Sequence, residues 1–172
     1  RRLLEGERYD AVAVTGDLIH DMRGLPAAIA LLKSLKPRCG IYFVPGNHDY
    51  AEYTPWGVLG HTWRESADGG LRLRDARRLA AALGDFVRKV VTNELVRQPV
   101  CFNDVPAMLR RLEAEGVIAL VNASARLALP DGEVWFAGVD DALESHADLA
   151  AAFAGVPAAA PLILLAHNPD IW

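Results

Sequence analysis

Cysteine is scarce in this chain. Cys39 and Cys101 are the only two among 172 residues. They are too few and too far apart for a disulfide framework or a zinc knuckle, and both read as free thiols that pack as small hydrophobes. Neither sign of charge prevails: 18 Lys and Arg face 22 Asp and Glu, a formal net charge of −4. That argues against nucleic acid as the partner, because phosphate backbones are held by clustered Lys and Arg. An anionic substrate stays compatible if a metal supplies local positive charge. No apolar run approaches the roughly 20 residues of a membrane-spanning helix. There is no internal repeat and no low-complexity tract. No G-x-G-x-x-G loop follows the first strand-like run, which disfavours a Rossmann-like nucleotide binder.

The composition that remains builds a core. It is 52% hydrophobic, at a length that suits one domain. "YDAVAVTGD" (9–17) is a Val-rich run ending in Gly and Asp, and it predicts a buried strand entering a loop. "GLPAAIALLKSLKP" (24–37) has helical apolar spacing, with Pro26 near its start and Pro37 past its end. "CGIYFVPGNHD" is strand then loop. "DVPAMLRRLEAEG" (104–116) predicts an amphipathic helix capped by Asp104 and stopped by Gly116. "VIALVN" reads as a strand, "ARLAL", "PDG" and "EVWFAGVDD" as a hairpin-like pair, "SHADLAAAFAG" (145–155) as a helix, and "PLILLAHNPD" as strand then loop. Strands alternating with helices predict an α/β architecture, mostly parallel, with helices covering the sheet.

Residues 51–103 interrupt this rhythm. "YAEYTPWGVLGHTWRESADGG" has no clear period, and Tyr53, Trp56, His61 and Trp63 within it stand as substrate contacts or as the small core of a surface insertion. "RLRDARRLAAALGDFVRKVV" (72–91) predicts a basic amphipathic helix, either a solvated helix packed on the domain or a peripheral membrane contact. The expected organisation is one domain over 1–172 with an insertion at about 51–103. The opening "RRLLEGERYD" reads as the tail of a helix with no initiating Met, and "HNPDIW" follows a strand-like run directly. An internal fragment of a longer protein is therefore expected. The compartment, cytoplasmic or membrane-associated, and the oligomeric state are not set by these residues.

Three loops share one arrangement. Asp17 follows "AVAVTG". Asn47, His48 and Asp49 follow "IYFVPG". His167, Asn168 and Asp170 follow "LILLA". In an open α/β sheet the carboxyl ends of the strands lie along one edge, where ligands bind, so these residues are expected to converge. Carboxylate, amide oxygen and imidazole suit divalent metals such as Zn, Mn or Fe. Two such cations roughly 3.5–4 Å apart can clamp a phosphate and activate a water. Gly16 and Gly46 let the backbone turn sharply. Taken singly, each Asp or His also fits a turn, a cap or a hydrogen-bonded core residue.

"GDLIH", "GNHD" and "LLAHNP" resemble the second, third and fourth motifs of the calcineurin-like metallophosphoesterases, and the similarity over 1–50 and 104–172 points to a bacterial, membrane-associated or exported branch. The resemblance implies a four-layer α-β-β-α sandwich, here incomplete. It implies hydrolysis of a phosphoester or pyrophosphate bond by a water activated by two divalent metal ions. The substrate would be a phosphorylated small molecule or a lipid-linked phosphate. In that family's pattern Asp17 bridges the metals, Asn47 and His167 bind the second, and His48 is the catalytic residue over the scissile bond. Asp49 would support from behind. The opening Asp-x-His and closing Gly-His-x-His motifs are absent from these residues, so the fragment alone is expected to be inactive. His20 stands where the second motif often has Asp, with His20 or Asp21 as its substitute. Asp140 and Asp141 fit a strand-end turn, Asn122 a loop cap, and His146 a structural place. The alternative class is a non-catalytic phosphoesterase-like binding domain.

Overall fold

Ile41–Val44 (β2) is apolar at all four positions, and all four are buried. A strand covered on both faces must lie inside a layered structure. The computed structural model describes residues 9–52, 80, 81, 83, 84, 101–129 and 132–171. In it β2 runs between Val12–Thr15 (β1) and Val117–Ala119 (β5), parallel to both. Its side chains divide by parity, as pleating requires. Ile41 and Phe43 face Leu25, Ile29 and Leu32 of the helix Leu25–Leu35 (α1), together with Val105, Met108 and Leu112 of the helix Val105–Ala114 (α3). Tyr42 and Val44 face the other way, onto a second sheet.

That second sheet joins Ala123–Leu129 (β6), Gly132–Gly138 (β7) and Leu162–Leu165 (β8). β6 and β7 pair antiparallel, and β7 and β8 pair parallel. Leu127, Phe136 and Leu165 meet Tyr42, Val44 and Leu120 between the sheets, and the Tyr42 and Phe136 rings stack with centroids 4.4 Å apart. On β7 at the inter-sheet contact only glycine fits: a Cβ on Gly138 would fall 2.3 Å from the Leu120 carbonyl oxygen and 2.5 Å from Val44 Cγ1. The outer face of β7 carries Ala137, which packs with Val139 and with Ala152 of the helix Leu149–Phe153 (α4). The order is thus helices, sheet, sheet, helix. Full burial of side chains such as Phe43, Met108 and Leu112, all 0% exposed, contributes about 1.5–3 kcal/mol each and pins β2 at the centre.

The local signals mostly act as the sequence predicts. Pro26 sits in the first turn of α1, which ends with Lys36 in a left-handed conformation before Pro37. The Asp104 carboxylate accepts the Ala107 N–H to cap α3, and Gly116 leaves it at φ 83°. Two elements are shorter than predicted. β5 ends at Ala119, whereas "VIALVN" predicts a strand as far as Asn122. The helix expected over 145–155 covers only Leu149–Phe153, because side chains take the backbone donors before it. Asp141 accepts the N–H groups of Leu143 and Glu144, and Asn122 accepts that of Asp148.

The chain divides into two compact units. One comprises the residues up to Tyr50 and from Asn103 onward, and the other is Ala51–Phe102. In the second, Ala51–Glu52 (β3) pairs antiparallel with Cys101–Phe102 (β4). Tyr53, Trp56, His61 and Trp63 lie outside the described residues. So does the expected 72–91 helix, except positions 80, 81, 83 and 84, which are helical. Among the described residues no helix is long and apolar enough to cross a membrane.

Candidate active site

β1 and β2 are in-register parallel neighbours, with Thr15 opposite Val44, so the loops after them leave the sheet side by side. The first turns through Gly16 at φ 87° and Asp17 at φ 55°. Left-handed backbone is free for glycine and tolerated by Asp better than by most side chains. The second passes through Pro45 and Gly46 into the single-turn helix Asn47–Tyr50 (α2). Both glycines are demanded by contact. A Cβ on Gly16 would lie 2.6 Å from His167 Nδ1 and 2.7 Å from the Gly46 Cα. One on Gly46 would lie 2.6 Å from Asp17 Oδ1 and 2.8 Å from His167 Cγ. His167, two residues past β8, therefore reaches across to the first sheet's loops.

Three donor atoms meet there. His167 Nε2 is 3.1 Å from Asn47 Oδ1 and 3.5 Å from Asp17 Oδ1. His167 Nδ1 is 2.9 Å from the carbonyl oxygen of Thr15. A carbonyl only accepts, so Nδ1 carries the proton, and in the neutral ring Nε2 presents a lone pair. Three lone-pair atoms then face one another with no proton to share. A cation among them, or a proton on Nε2, makes that arrangement favourable. Carboxylate, amide oxygen and imidazole nitrogen, the last fixed by a backbone carbonyl behind it, are a donor set that fits a divalent metal. Among the described residues no three His, Cys, Asp or Glu side chains gather so as to hold a metal; here the third donor is an amide.

His48 sits beside this point. Its backbone N–H donates to Asp17 Oδ1 at 3.1 Å, which fixes the carboxylate from the start of α2. Its ring lies against that of His20, with centroids 5.4 Å apart and planes tilted by 37°. Asp21, the other residue considered in place of the second motif's Asp, is turned away. It caps the short 3-10 turn Met22–Gly24 and pairs with the guanidinium of Arg23, which holds its carboxyl below the usual range.

Asp49 is fully buried. Its carboxylate accepts the N–H groups of Ile19 and Gly46, each at 2.9 Å, and so ties the first loop to the second. Burial pushes this carboxyl up, and the hydrogen bonds from Gly46 and Ile19 oppose the shift. Asp170 is exposed, whereas Asn168 turns inward and donates to Asp141 Oδ2 at 2.8 Å. Asp140 accepts the Tyr50 hydroxyl at 2.6 Å and the Ser145 hydroxyl at 2.6 Å. Burial, with Asp140 as acceptor, raises the Tyr50 phenol above its usual range. Asn122, at φ 52°, spans the same loop by accepting from Asp140 N–H and donating to the His146 carbonyl.

Asn103 was missed by the sequence reading. Its side-chain amide donates toward the carbonyls of His20, His48 and Asp49 at 3.3, 3.3 and 3.1 Å, and its N–H donates to the Tyr50 carbonyl. The one available signal was its place just before the Asp104 cap.

The sequence pattern of the calcineurin-like phosphoesterases matches residues 1–170. A curated relative, the uncharacterized metallophosphoesterase YkoQ of Bacillus subtilis (strain 168), is 24% identical over 172 residues, which is 98% of this chain and 46% of that protein. The chain thus spans less than half the length of that relative. No solved structure matches it. A match over nearly every residue shows that the chain belongs to the calcineurin-like phosphoesterases.

Proposed function

We propose that this chain supplies part of the metal-binding and catalytic machinery of a longer hydrolase acting on phosphoester or pyrophosphate bonds. The observation that carries the reading is the convergence of Asp17 Oδ1, Asn47 Oδ1 and His167 Nε2, with the imidazole tautomer set by Thr15. Family membership brings divalent metals with it, and we read the complete centre as dinuclear. When bound, the cations supply positive charge against the phosphoryl oxygens and lower the pKa of a water.

The chain's own residues do the rest. Asp17 is held by the His48 N–H so that Oδ1 faces the donor cluster. Its place between the loops would suit a carboxylate shared by the two cations, and Asn47 and His167 would hold one of them. The His48 imidazole is the general acid that delivers a proton to the leaving oxygen, or the donor that offsets charge on the phosphoryl group. Asp49 and Asn103 hold the two loops at fixed separation. The Asp-x-His and Gly-His-x-His pairs are absent from these 172 residues, so the isolated chain binds metal weakly and turns over little. The substrate class is a phosphorylated small molecule or a lipid-linked phosphate, and Ala51–Phe102 is an insertion in one phosphoesterase domain.

The test is metal analysis of the full-length protein with a panel of phosphomonoesters, phosphodiesters and pyrophosphates. His48→Ala is expected to lower turnover by about 10²–10⁴ with metal content kept, whereas Asp17→Ala loses metal. A wild type that binds metal but hydrolyses none of the panel supports a binding domain instead. An Asp17→Ala variant with unchanged metal content removes the bridging role.

A further inference from the structure

Asp140 and Asp141 are 7% and 1% exposed, two adjacent carboxylates taken almost fully out of water. Burying a carboxylate is costly unless every oxygen is hydrogen-bonded. Here each oxygen is, and by neutral donors. Asp140 Oδ1 accepts the Tyr50 hydroxyl and the Asp141 N–H, and Oδ2 accepts the Ser145 hydroxyl. Asp141 Oδ1 accepts the N–H groups of Leu143 and Glu144, and Oδ2 accepts the Asn168 amide. Apolar residues of similar size often serve stability as well as buried charges do, so the cost points to a gain in register.

The partners define that register. Tyr50 is the last residue of α2, which begins with Asn47 and His48. Asn168 follows His167 directly. Resting on the phosphoesterase reading above, we propose that the Asp140–Asp141 loop is a brace that sets the His167 loop against the Asn47–His48 loop, with Asp141 and Asn168 as positioning residues for metal binding. Tyr50 and Asp140 fix one side, and Asp141 and Asn168 fix the other. The His167 ring has its own backbone anchor, Thr15, on a different strand. Its Nε2 reaches the Asn47 oxygen only if the loop and that anchor agree in position.

Calorimetric titration of the full-length apoprotein with Mn²⁺, beside its thermal melt, tests this. Asn168→Ala is expected to weaken Mn²⁺ affinity by about 10–100-fold, the usual effect of losing a residue that orients a ligand. Asp141→Asn is expected to stay close to wild type. The Asn168 amide can turn its oxygen to the introduced amide N–H, while the introduced amide oxygen still accepts from Leu143 and Glu144. A lowered melting temperature with unchanged affinity in Asn168→Ala overturns the proposal, as does an Asp141→Asn variant as weak as Asn168→Ala. Should Asn168→Ala not fold, Asn168→Ser, too short to reach Asp141, is titrated with the same two outcomes. A wild type that takes up no Mn²⁺ overturns the phosphoesterase reading and the brace together, whereas a binding wild type matched by its Asn168 variants overturns the brace alone.

Discussion

The loops after β1 and β2 and the loops after β7 and β8 bring polar groups to one place by different means. The first pair relies on backbone. Gly16 and Asp17 adopt left-handed conformations, and Gly16 and Gly46 approach Asp17 and His167 more closely than any side chain allows. The second pair relies on side chains: Asp140, Asp141, Asn122 and Asn168 form a hydrogen-bonded frame that replaces regular structure between β7 and α4. The difference teaches where each loop can yield. A glycine contact fails by overlap as soon as one atom is added. A hydrogen-bonded frame fails by degrees, one partner at a time.

The contrast breaks most sharply at Gly16. Gly16→Ala puts a side chain on left-handed backbone, at about 1–3 kcal/mol, and drives its Cβ into His167 and the Gly46 backbone, at about 1–3 kcal/mol more. Denaturant unfolding of this variant should show the largest stability loss of any single substitution in these loops, together with loss of metal. A variant as stable as wild type would mean that the loops have room the contacts deny.

Asp49 sharpens the contrast, since it is a buried side-chain tie within the backbone-built pair. Asp49→Ala leaves the Ile19 and Gly46 N–H groups without their acceptor. The expected loss is about 3 kcal/mol, reduced by whatever the burial of the charge had cost. Asp49→Asn, which keeps one acceptor, should fall between. If both variants melt with wild type, Asp49 does not hold the loops together.

Asp21 is the same residue type only partly covered, in a pair with an exposed arginine, and its effect is the smallest. The hydrogen bond and charge of Arg23 lower its folded-state pKa below the ordinary 3.8. A lowered value adds stability that is present above the ordinary pKa and is lost as pH falls through the folded one. The pair is exposed and screened, so Asp21→Asn should cost no more than about 0.5 kcal/mol at neutral pH. The gap to wild type should close in acid, below both values. A gap that persists there would trace the loss to the helix cap and not to the charge.

Much of this was legible because it is local. "IYFV" is a run whose burial follows from its own composition. The strands at "VAVT" and "LILL" form where their β-rich composition predicts but are only partly covered, with Leu165 alone fully buried. The donors Asp17, Asn47 and His167 come just after these three strands. The first turn of α1 and both ends of α3 follow from Pro, Asp and Gly at their usual places. The 145–155 helix was over-read because the apolar spacing is blind to Asp141 and Asn122, which capture the backbone donors. Asn103 and Tyr50 were silent, and Asn168 was expected at the site but without its partner, for a related reason. Their partners lie 54, 90 and 27 residues away, and no local period encodes a hydrogen bond across that distance.

By itself the sequence determined which segments are strands, which helices flank them, and that metal-binding residue types follow three of the strands; full burial held for β2 and not for β1 or β8. Only the tertiary structure decided which nitrogen of His167 faces the other donors, that Asp21 belongs to Arg23 while His20 lies against His48, and that Asp140 and Asp141 are buried. The physical reason is range. Burial patterns and caps are written in neighbours a turn or a pleat apart. A tautomer, or the satisfaction of a buried carboxylate, depends on which loop from another strand arrives beside it.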